Sequence, residues 1–216
     1  MVFDLRLKEN FKIFISGPSG CGKTTFIMNL VAHLQDFSKS PPLQIVYFYT
    51  EWQARFREMS QSHGVIFIED SEILMDQVRD LSLSTFIIFD DMINSKSLKA
   101  VAKLYTVHGR HLNLSLAFIS QRLFHTSEYF RQISQNSDYF CVFKNPRNSM
   151  EIRNLAMQIT PKTLELLDIF RYATVKPYSY LFINLTQEAI PQLKYISNIF
   201  TRAHVIQTFV LTANKI

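Results

Sequence analysis

The sequence is short of cysteine and of long apolar runs, and each shortage excludes a class of protein. Its two cysteines, Cys21 and Cys141, are too few for a small secreted domain held together by disulfides. No apolar run reaches the ~18–20 residues that a membrane-spanning helix needs, and residues 1–6 lack the basic-then-apolar pattern of a signal peptide. We therefore expect a soluble protein of a reducing compartment that is not secreted and has no membrane partner.

Charged residues are also scarce, at 19% of the 216 residues, and basic ones are in excess. The formal net charge of +5 suits a polyanionic partner such as nucleic acid without establishing one. A predicted helix over residues 94–107 carries Lys96, Lys99 and Lys103 on one face, which is either a solvated surface or a contact for nucleic acid. At this length the chain can form one α/β domain with a full core.

Glycine is rare, yet three of the five glycines lie within six residues. The segment Gly17–Thr24 reads GPSGCGKT and fits the phosphate-loop pattern G-x-x-x-x-G-K-[ST]. Its context fits too, because residues 11–16 are typical of a buried strand and residues 25–34 have apolar positions at helical spacing. Glycines let backbone N–H groups turn toward phosphate oxygens, and the helix N-terminus adds its dipole. The sequence therefore predicts a site for a nucleoside triphosphate.

The residue types within this loop indicate separate roles. Lys23 can reach the β- and γ-phosphates, and the hydroxyl of Thr24 can ligate Mg²⁺. We accordingly expect ATP and Mg²⁺ as cofactors. The residues predicted to surround the nucleotide are Gly17, Pro18, Ser19, Gly20, Cys21, Gly22, Lys23, Thr24 and Thr25.

A later predicted strand, residues 85–89, is apolar and ends at Asp90 and Asp91. A carboxylate in this position usually anchors Mg²⁺ through water, which makes Asp90 the candidate. Asp91 could then polarise the attacking water as general base; the alternative is a pair of acidic turn residues. Two strand segments lie between Lys23 and Asp90, a spacing typical of ATPases whose carboxylate strand is not the neighbour of the phosphate-loop strand. The chain has no N-K-x-D guanine signature, which argues against a GTPase.

Gln121 follows the next predicted strand, residues 112–120, at the carboxyl edge where open α/β sheets bind ligands. A glutamine there can orient water or sense the γ-phosphate. Strands alternate with helices along the chain, which predicts an α/β fold, a largely parallel sheet with helices on both faces. We divide the chain into a P-loop ATPase domain, residues 1–185, and residues 186–216, a C-terminal arm or subunit-contact extension.

Four segments carry a family resemblance: GPSGCGKTT, FIIFDDM, GRHLNLSLAFISQRLF and DYFCVFKNPRN. They resemble the FtsK/HerA superfamily and, within it, the small viral genome-packaging ATPases of the poxvirus-like, virophage and Polinton-type lineage. The resemblance runs from about residue 11 to about residue 185 and implies a RecA-like core. It also implies a homo-oligomeric ring, pentameric or hexameric, that moves double-stranded DNA into a preformed capsid. Its partners would be DNA and the capsid or portal vertex, at the site of virion assembly in the host cytoplasm or nucleus, or in the virion itself.

The resemblance bears on two further positions. Members commonly carry Asp-Glu at the strand end, whereas this chain has Asp90 and Asp91; the shorter side chain of Asp91 would shift the attacking water and alter the rate of hydrolysis. Arg110 precedes Gln121 by the spacing at which FtsK-like motors place an arginine that acts on the neighbouring subunit's ATP. Arg131 is a second candidate for that role, and the alternative for Arg110 is an exposed loop arginine.

Other functions stay open on the sequence alone. A conjugation or segregation ATPase that pumps DNA belongs to the same superfamily but usually carries membrane or extra domains. A nucleotide or small-molecule kinase shares the phosphate loop but usually places an arginine-bearing lid after the carboxylate strand. A non-hydrolysing switch or scaffold is disfavoured because Lys23, Thr24 and Asp90 are all present. DNA-stimulated ATP hydrolysis, as opposed to phosphate transfer to an acceptor, separates the motor from the kinase.

Overall fold

The computed structural model describes residues 4–70, 84–200 and 206–211. A predicted helix over residues 72–81 lies outside these ranges. Within them, the strands form one nine-stranded sheet in the order β3-β2-β4-β5-β1-β6-β7-β8-β9. Its strands are β1 Lys12–Ser16, β2 Gln44–Tyr49, β3 Ile66–Glu69, β4 Thr85–Asp90, β5 Leu114–Ser120, β6 Tyr139–Phe143, β7 Tyr180–Asn184, β8 Tyr195–Ser197 and β9 Gln207–Phe209.

The six strands from β3 to β6 in this order pair in parallel, and β7, β8 and β9 are added antiparallel at one side. The described helices are α1 Lys23–Ala32, α2 Leu34–Phe37, α3 Ala54–His63, α4 Leu98–Lys103, α5 Gly109–His111, α6 Glu128–Gln135, α7 Ser149–Ile159 and α8 Thr163–Ala173. Leu104–His108 is a π-helical turn that joins α4 to α5. No helix in the described ranges is long and apolar enough to span a membrane.

The core lies on both faces of the sheet because side chains alternate along each strand. In β1, Phe14 packs into the cluster on one face with Phe118 and Phe130, while Ile13 and Ile15 pack into the cluster on the other. All five residues of β1 are buried, as a central parallel strand requires. The predicted α/β fold, with a largely parallel sheet covered on both faces, is confirmed.

P-loop ATPases differ in whether the strand that ends in the carboxylate lies next to the phosphate-loop strand. β5 lies between β1 and β4, with Ile119 opposite both Ile15 of β1 and Asp90 of β4. The predicted separation of the phosphate-loop and carboxylate strands is therefore confirmed. Because these strands are parallel, Asp90 and the phosphate loop meet at the same edge of the sheet.

Two boundaries differ from the sequence prediction. The helix predicted from residue 94 begins at Leu98, because Met92–Asn94 forms a 3₁₀ turn after Asp91. Lys96 therefore precedes α4, although Lys99 lies on it. In the C-terminal region, β8 and β9 extend the same sheet; the division at residue 185 and the subunit contact stay predictions.

Candidate nucleotide-binding and hydrolysis site

The phosphate loop connects β1 to α1 and depends on glycine at three points. Gly20 and Gly22 have φ of 74° and 109°, in the left-handed region that residues with a Cβ rarely adopt. A Cβ on Gly17 would lie 2.6 Å from the Sγ of Cys21 and from the Cβ of Phe143, which is too close. α1 begins at Lys23, so the N–H groups of its first turn open onto the loop. This geometry is suited to phosphate oxygens.

Lys23 extends across the mouth of the loop. Its Nζ donates hydrogen bonds to the carbonyl oxygens of Gly17, at 2.7 Å, and of Pro18, at 2.9 Å. The ammonium group is thus positioned beside the loop's N–H groups, where it can exchange these carbonyls for phosphate oxygens. On the other side, Arg55 of α3 donates to the Oγ1 of Thr25 at 3.0 Å, so a second cation lies at the start of α1.

A cavity of about 990 Å³ lies over the loop at the carboxyl edge of the sheet. This volume suits a nucleotide, because small-molecule sites of proteins hold roughly 300–1,000 Å³. The predicted residues that line it are Ser19, Gly20, Gly22, Lys23, Thr24, Thr25, Asp90, Asp91 and Gln121. The structure therefore brings most of the predicted site into a single cavity.

Asp90 lies at the floor of this cavity and is only 9% exposed. Its Oδ2 accepts a hydrogen bond of 2.7 Å from the hydroxyl of Tyr47, a fully buried residue of β2. Burial raises the pKa of the Asp90 carboxyl, and the Tyr47 hydrogen bond lowers it in part. Burial and the Asp90 charge raise the pKa of Tyr47 well above its usual value, which keeps the hydroxyl a donor.

Thr24 and Asp90 offer a hydroxyl and a carboxylate oxygen, the hard donors that Mg²⁺ prefers. In the described ranges, no group of three or more His, Cys, Asp or Glu side chains could hold a metal ion. Mg²⁺ at triphosphate sites is commonly held by one or two protein ligands together with phosphate oxygens and water. Thr24 and Asp90 fit that pattern.

Asp91 and Gln121 form a polar pair beside Asp90. Asp91 has a φ of 55°, and its N–H donates to the carbonyl of Ile119 at 3.1 Å, which fixes the residue at the end of β4. The Nε2 of Gln121 donates to the Oδ2 of Asp91 at 2.9 Å. The pair presents one carboxylate and one amide at the cavity wall, a combination able to orient water and accept its proton.

The two arginine candidates lie elsewhere. The backbone of Arg110 is in α5, which precedes β5; a Cβ on the adjacent Gly109 would lie 3.6 Å from the Cε of Lys12, at the start of β1. Arg110 thus belongs to the amino edge of the sheet, whereas Gln121 and the phosphate loop belong to the carboxyl edge. Arg131 is an exposed residue of α6.

Several cavity residues were not predicted from the sequence. Tyr47 and Arg55 contact predicted site residues, and Glu51 and Tyr178 line the cavity. Glu51 follows the end of β2, as Gln121 follows the end of β5, so the same strand-end position indicates that it lies at the carboxyl edge. Tyr47 gave no signal, because its contact depends on β2 lying next to β4.

The sequence model of the poxvirus A32 protein family matches residues 61–206, more than half of the chain. The match begins after the phosphate loop, so the loop and the family match are independent observations. It contains the positions Asp90, Asp91, Arg110 and Gln121. No curated protein matches the chain at a significant level.

Solved structures share the fold. The genome packaging NTPase B204 from Sulfolobus turreted icosahedral virus 2, in complex with sulfate, is 16% identical, with a TM-score of 0.58 over 85% of this chain and 95% of that chain. The same NTPase in complex with ATP-gammaS is 13% identical, with a TM-score of 0.57 over 92% and 96%. The cytoplasmic domain of the Thermomonospora curvata type VII secretion ATPase EccC is 18% identical, with a TM-score of 0.52 over 87% of this chain and 26% of that one.

These likenesses establish a RecA-like P-loop core, and the sequence match supplies the family. The chain belongs to the poxvirus A32 protein family, and with it to the viral genome-packaging ATPases of the FtsK/HerA type.

Proposed function

We propose that the chain is the ATP-hydrolysing subunit of a ring-shaped motor that moves viral double-stranded DNA into a capsid. The observation that carries the proposal is the meeting of Lys23, Asp90 and the Asp91–Gln121 pair in one cavity. Membership of the A32 family supports the packaging role. The genome packaging NTPase B204, which shares the fold, has been solved with ATP-gammaS and with AMPPCP, and these complexes support ATP as the nucleotide.

The residues suggest how hydrolysis proceeds. The loop N–H groups and Lys23 hold the phosphates and neutralise charge that develops on them. Mg²⁺, held by Thr24 and through water by Asp90, would supply further charge on the β- and γ-phosphates. Asp91 accepts the proton of the attacking water, and Gln121, which donates a hydrogen bond to the Asp91 carboxylate and so holds it in place, helps to orient that water.

Substitutions of Asp90 and Asp91 should have different effects on ATP binding and on turnover. Asp91→Asn removes the base but keeps the shape of the side chain, so we expect ATP affinity to persist and turnover to fall by about 10²-fold. Asp90→Asn removes a metal anchor, so Mg²⁺-dependent ATP binding should weaken as well. Binding by calorimetry and phosphate release, each with and without Mg²⁺, measure the two effects.

Asp36→Asn, at an exposed aspartate of α2, is the matched control and should behave as wild type. If Asp90→Asn and Asp91→Asn both hydrolyse ATP normally, the working carboxylates lie elsewhere in the chain.

DNA binding should be electrostatic and indifferent to sequence. The basic net charge of +5 and a packaging role both favour contacts with phosphates over contacts with base edges. Affinity for duplex DNA should therefore fall steeply as salt rises and differ little between two duplexes of unrelated sequence, as measured by fluorescence anisotropy. Stimulation of ATP hydrolysis by the same duplexes tests the motor itself. A salt-insensitive or strongly sequence-selective isotherm contradicts the proposal.

A further inference from the structure

The cavity over the phosphate loop has two chemically different ends. Along the carboxyl edge of the sheet, β4 and β5 bring Asp91 and Gln121 to one side of the loop. On the other side, β6 and β7 bring Phe143 and Tyr180 into the cavity wall. The γ-phosphate must lie at the end of the cavity that contains Asp91 and Gln121, because these residues act on the water that attacks it. The nucleoside of a bound nucleotide consequently extends toward the aromatic end.

A strained turn stands at this aromatic end, just ahead of β7. Pro177 occupies its second position and Tyr178 its third, and the N–H of Ser179 closes it on the carbonyl of Lys176 at 3.3 Å. The hydroxyl of Ser179 donates to the same carbonyl at 2.6 Å. Tyr178 has a φ of 63°, where turns of this kind normally place glycine or asparagine. A bulky residue with positive φ is a genuine outlier, and such residues concentrate at ligand sites.

The Tyr178 side chain is exposed to solvent beside the phosphate loop. It is 73% exposed and lines the cavity. Its Cβ and Cδ1 lie 3.6 and 3.8 Å from the point that a Cβ on Gly22 would occupy, so the ring begins directly alongside the N-terminus of α1. The base of the turn is rigid, because the hydroxyl of the buried Tyr180 accepts the N–H of Ile199 at 3.2 Å. The rings of Phe143 and Tyr180 also pack 5.5 Å apart.

We propose that Tyr178 is the stacking platform for the base of the bound nucleotide, an inference that rests on the ATPase function proposed above. The loop and Lys23 hold the phosphates, and the exposed ring takes the flat face of the base. A stacking contact uses the π-face and not the hydrogen-bonding edge. The ligand class is therefore a nucleotide, and a purine offers the ring a larger face than a pyrimidine does.

The test compares a ligand with a base and a ligand without one. The affinities of the full chain for ADP and for inorganic tripolyphosphate are measured by calorimetry. Tyr178→Ala should weaken ADP binding on the order of tenfold and leave tripolyphosphate binding unchanged. Tyr178→Phe should retain both affinities.

Two further variants remove structural ambiguity. Tyr178→Gly suits the positive φ of the turn, so it deletes the ring without adding backbone strain, and it should lose ADP affinity as Tyr178→Ala does. Tyr172→Ala removes a tyrosine of α8 that is 65% exposed and does not line the cavity, and it should bind both ligands normally.

Equal loss of both ligands in Tyr178→Gly overturns the proposal, because the ring would then only support the loop. Unchanged ADP affinity in Tyr178→Gly and Tyr178→Ala overturns it as well, while leaving the ATPase assignment intact. A wild-type chain that binds neither ADP nor tripolyphosphate overturns the nucleotide site itself, and the stacking role with it.

Discussion

Arg110→Ala is expected to lower ATP turnover by roughly 10³- to 10⁵-fold, the range known for an arginine supplied in trans, while ATP still binds. The fold places Arg110 away from the ATP site of its own subunit, so any ATP it acts on would belong to a neighbour. Arg110 lies at the amino edge of the sheet, with all of β5 between it and Gln121 of its own subunit. A guanidinium is always charged and its planar fork matches phosphate oxygens. Activity per subunit should accordingly rise with protein concentration, because separated subunits lack the arginine.

Mixed subunits give the decisive measurement. A Lys23→Ala subunit keeps Arg110, and an Arg110→Ala subunit keeps Lys23, so an interface that joins them in the right order is complete. With equal amounts of both, about one interface in four has that order when subunits associate head to tail at random. Mixing two inactive proteins should therefore restore a fraction of wild-type hydrolysis.

Arg57→Ala, at an exposed arginine of α3, is the matched control for loss of surface charge and should turn over normally. Concentration-independent activity and no recovery on mixing would remove Arg110 from the trans role. The same two assays would then be applied to Arg131→Ala.

Lys23→Ala should lower the rate of ATP hydrolysis by roughly 10³-fold. The substitution removes a positive charge that is already positioned beside the phosphates before the reaction begins. The two carbonyl contacts of Nζ, at 2.7 and 2.9 Å, keep the ammonium at the loop before nucleotide arrives. Its loss should weaken ATP binding too, in contrast to Asp91→Asn. Phosphate release at saturating Mg²⁺-ATP measures the rate, and calorimetry measures the affinity.

Lys39→Ala is the control for this variant. Lys39 forms a surface ion pair with Glu188 at 3.8 Å, and such pairs contribute little to stability. The Lys39→Ala variant should hydrolyse ATP at the wild-type rate. Near-normal turnover in Lys23→Ala would refute the assignment of the phosphate loop as the catalytic site.

The central strands and the phosphate loop were predictable because local chemistry determines them. Glycine is strongly favoured at residues 20 and 22, whose φ is positive, and an apolar strand that ends in paired carboxylates at a sheet edge is typical of a metal-anchoring or catalytic position. The number of strand segments between Lys23 and Asp90 predicted that the carboxylate strand does not lie next to the phosphate-loop strand, although it did not predict that β5 lies between them. These features need no knowledge of distant contacts.

The remaining features depend on tertiary structure. Tyr47 meets Asp90 only because β2 pairs with β4, which periodicity does not reveal. The strands β8 and β9 have three residues each, too few for a periodic signal; β8 is held by pairing with β7, and β9 by pairing with β8. The positive φ of Tyr178 opposes the local preference of tyrosine, so no sequence signal indicated the turn that precedes β7.

The strand β5 has a mechanical consequence for a ring. All seven of its residues are buried, and it is hydrogen-bonded to β4 on one side and β1 on the other, so it moves only as part of the sheet. Gln121 stands at one end of this strand and the helix that contains Arg110 lies just before the other, roughly 20 Å away at the usual rise of a strand. If Arg110 acts on the neighbour as proposed, β5 rigidly connects Gln121 at the ATP site of one subunit to the arginine that this same subunit supplies to the ATP site of the next. A displacement at Gln121 in one subunit would then move the arginine that serves the ATP of its neighbour.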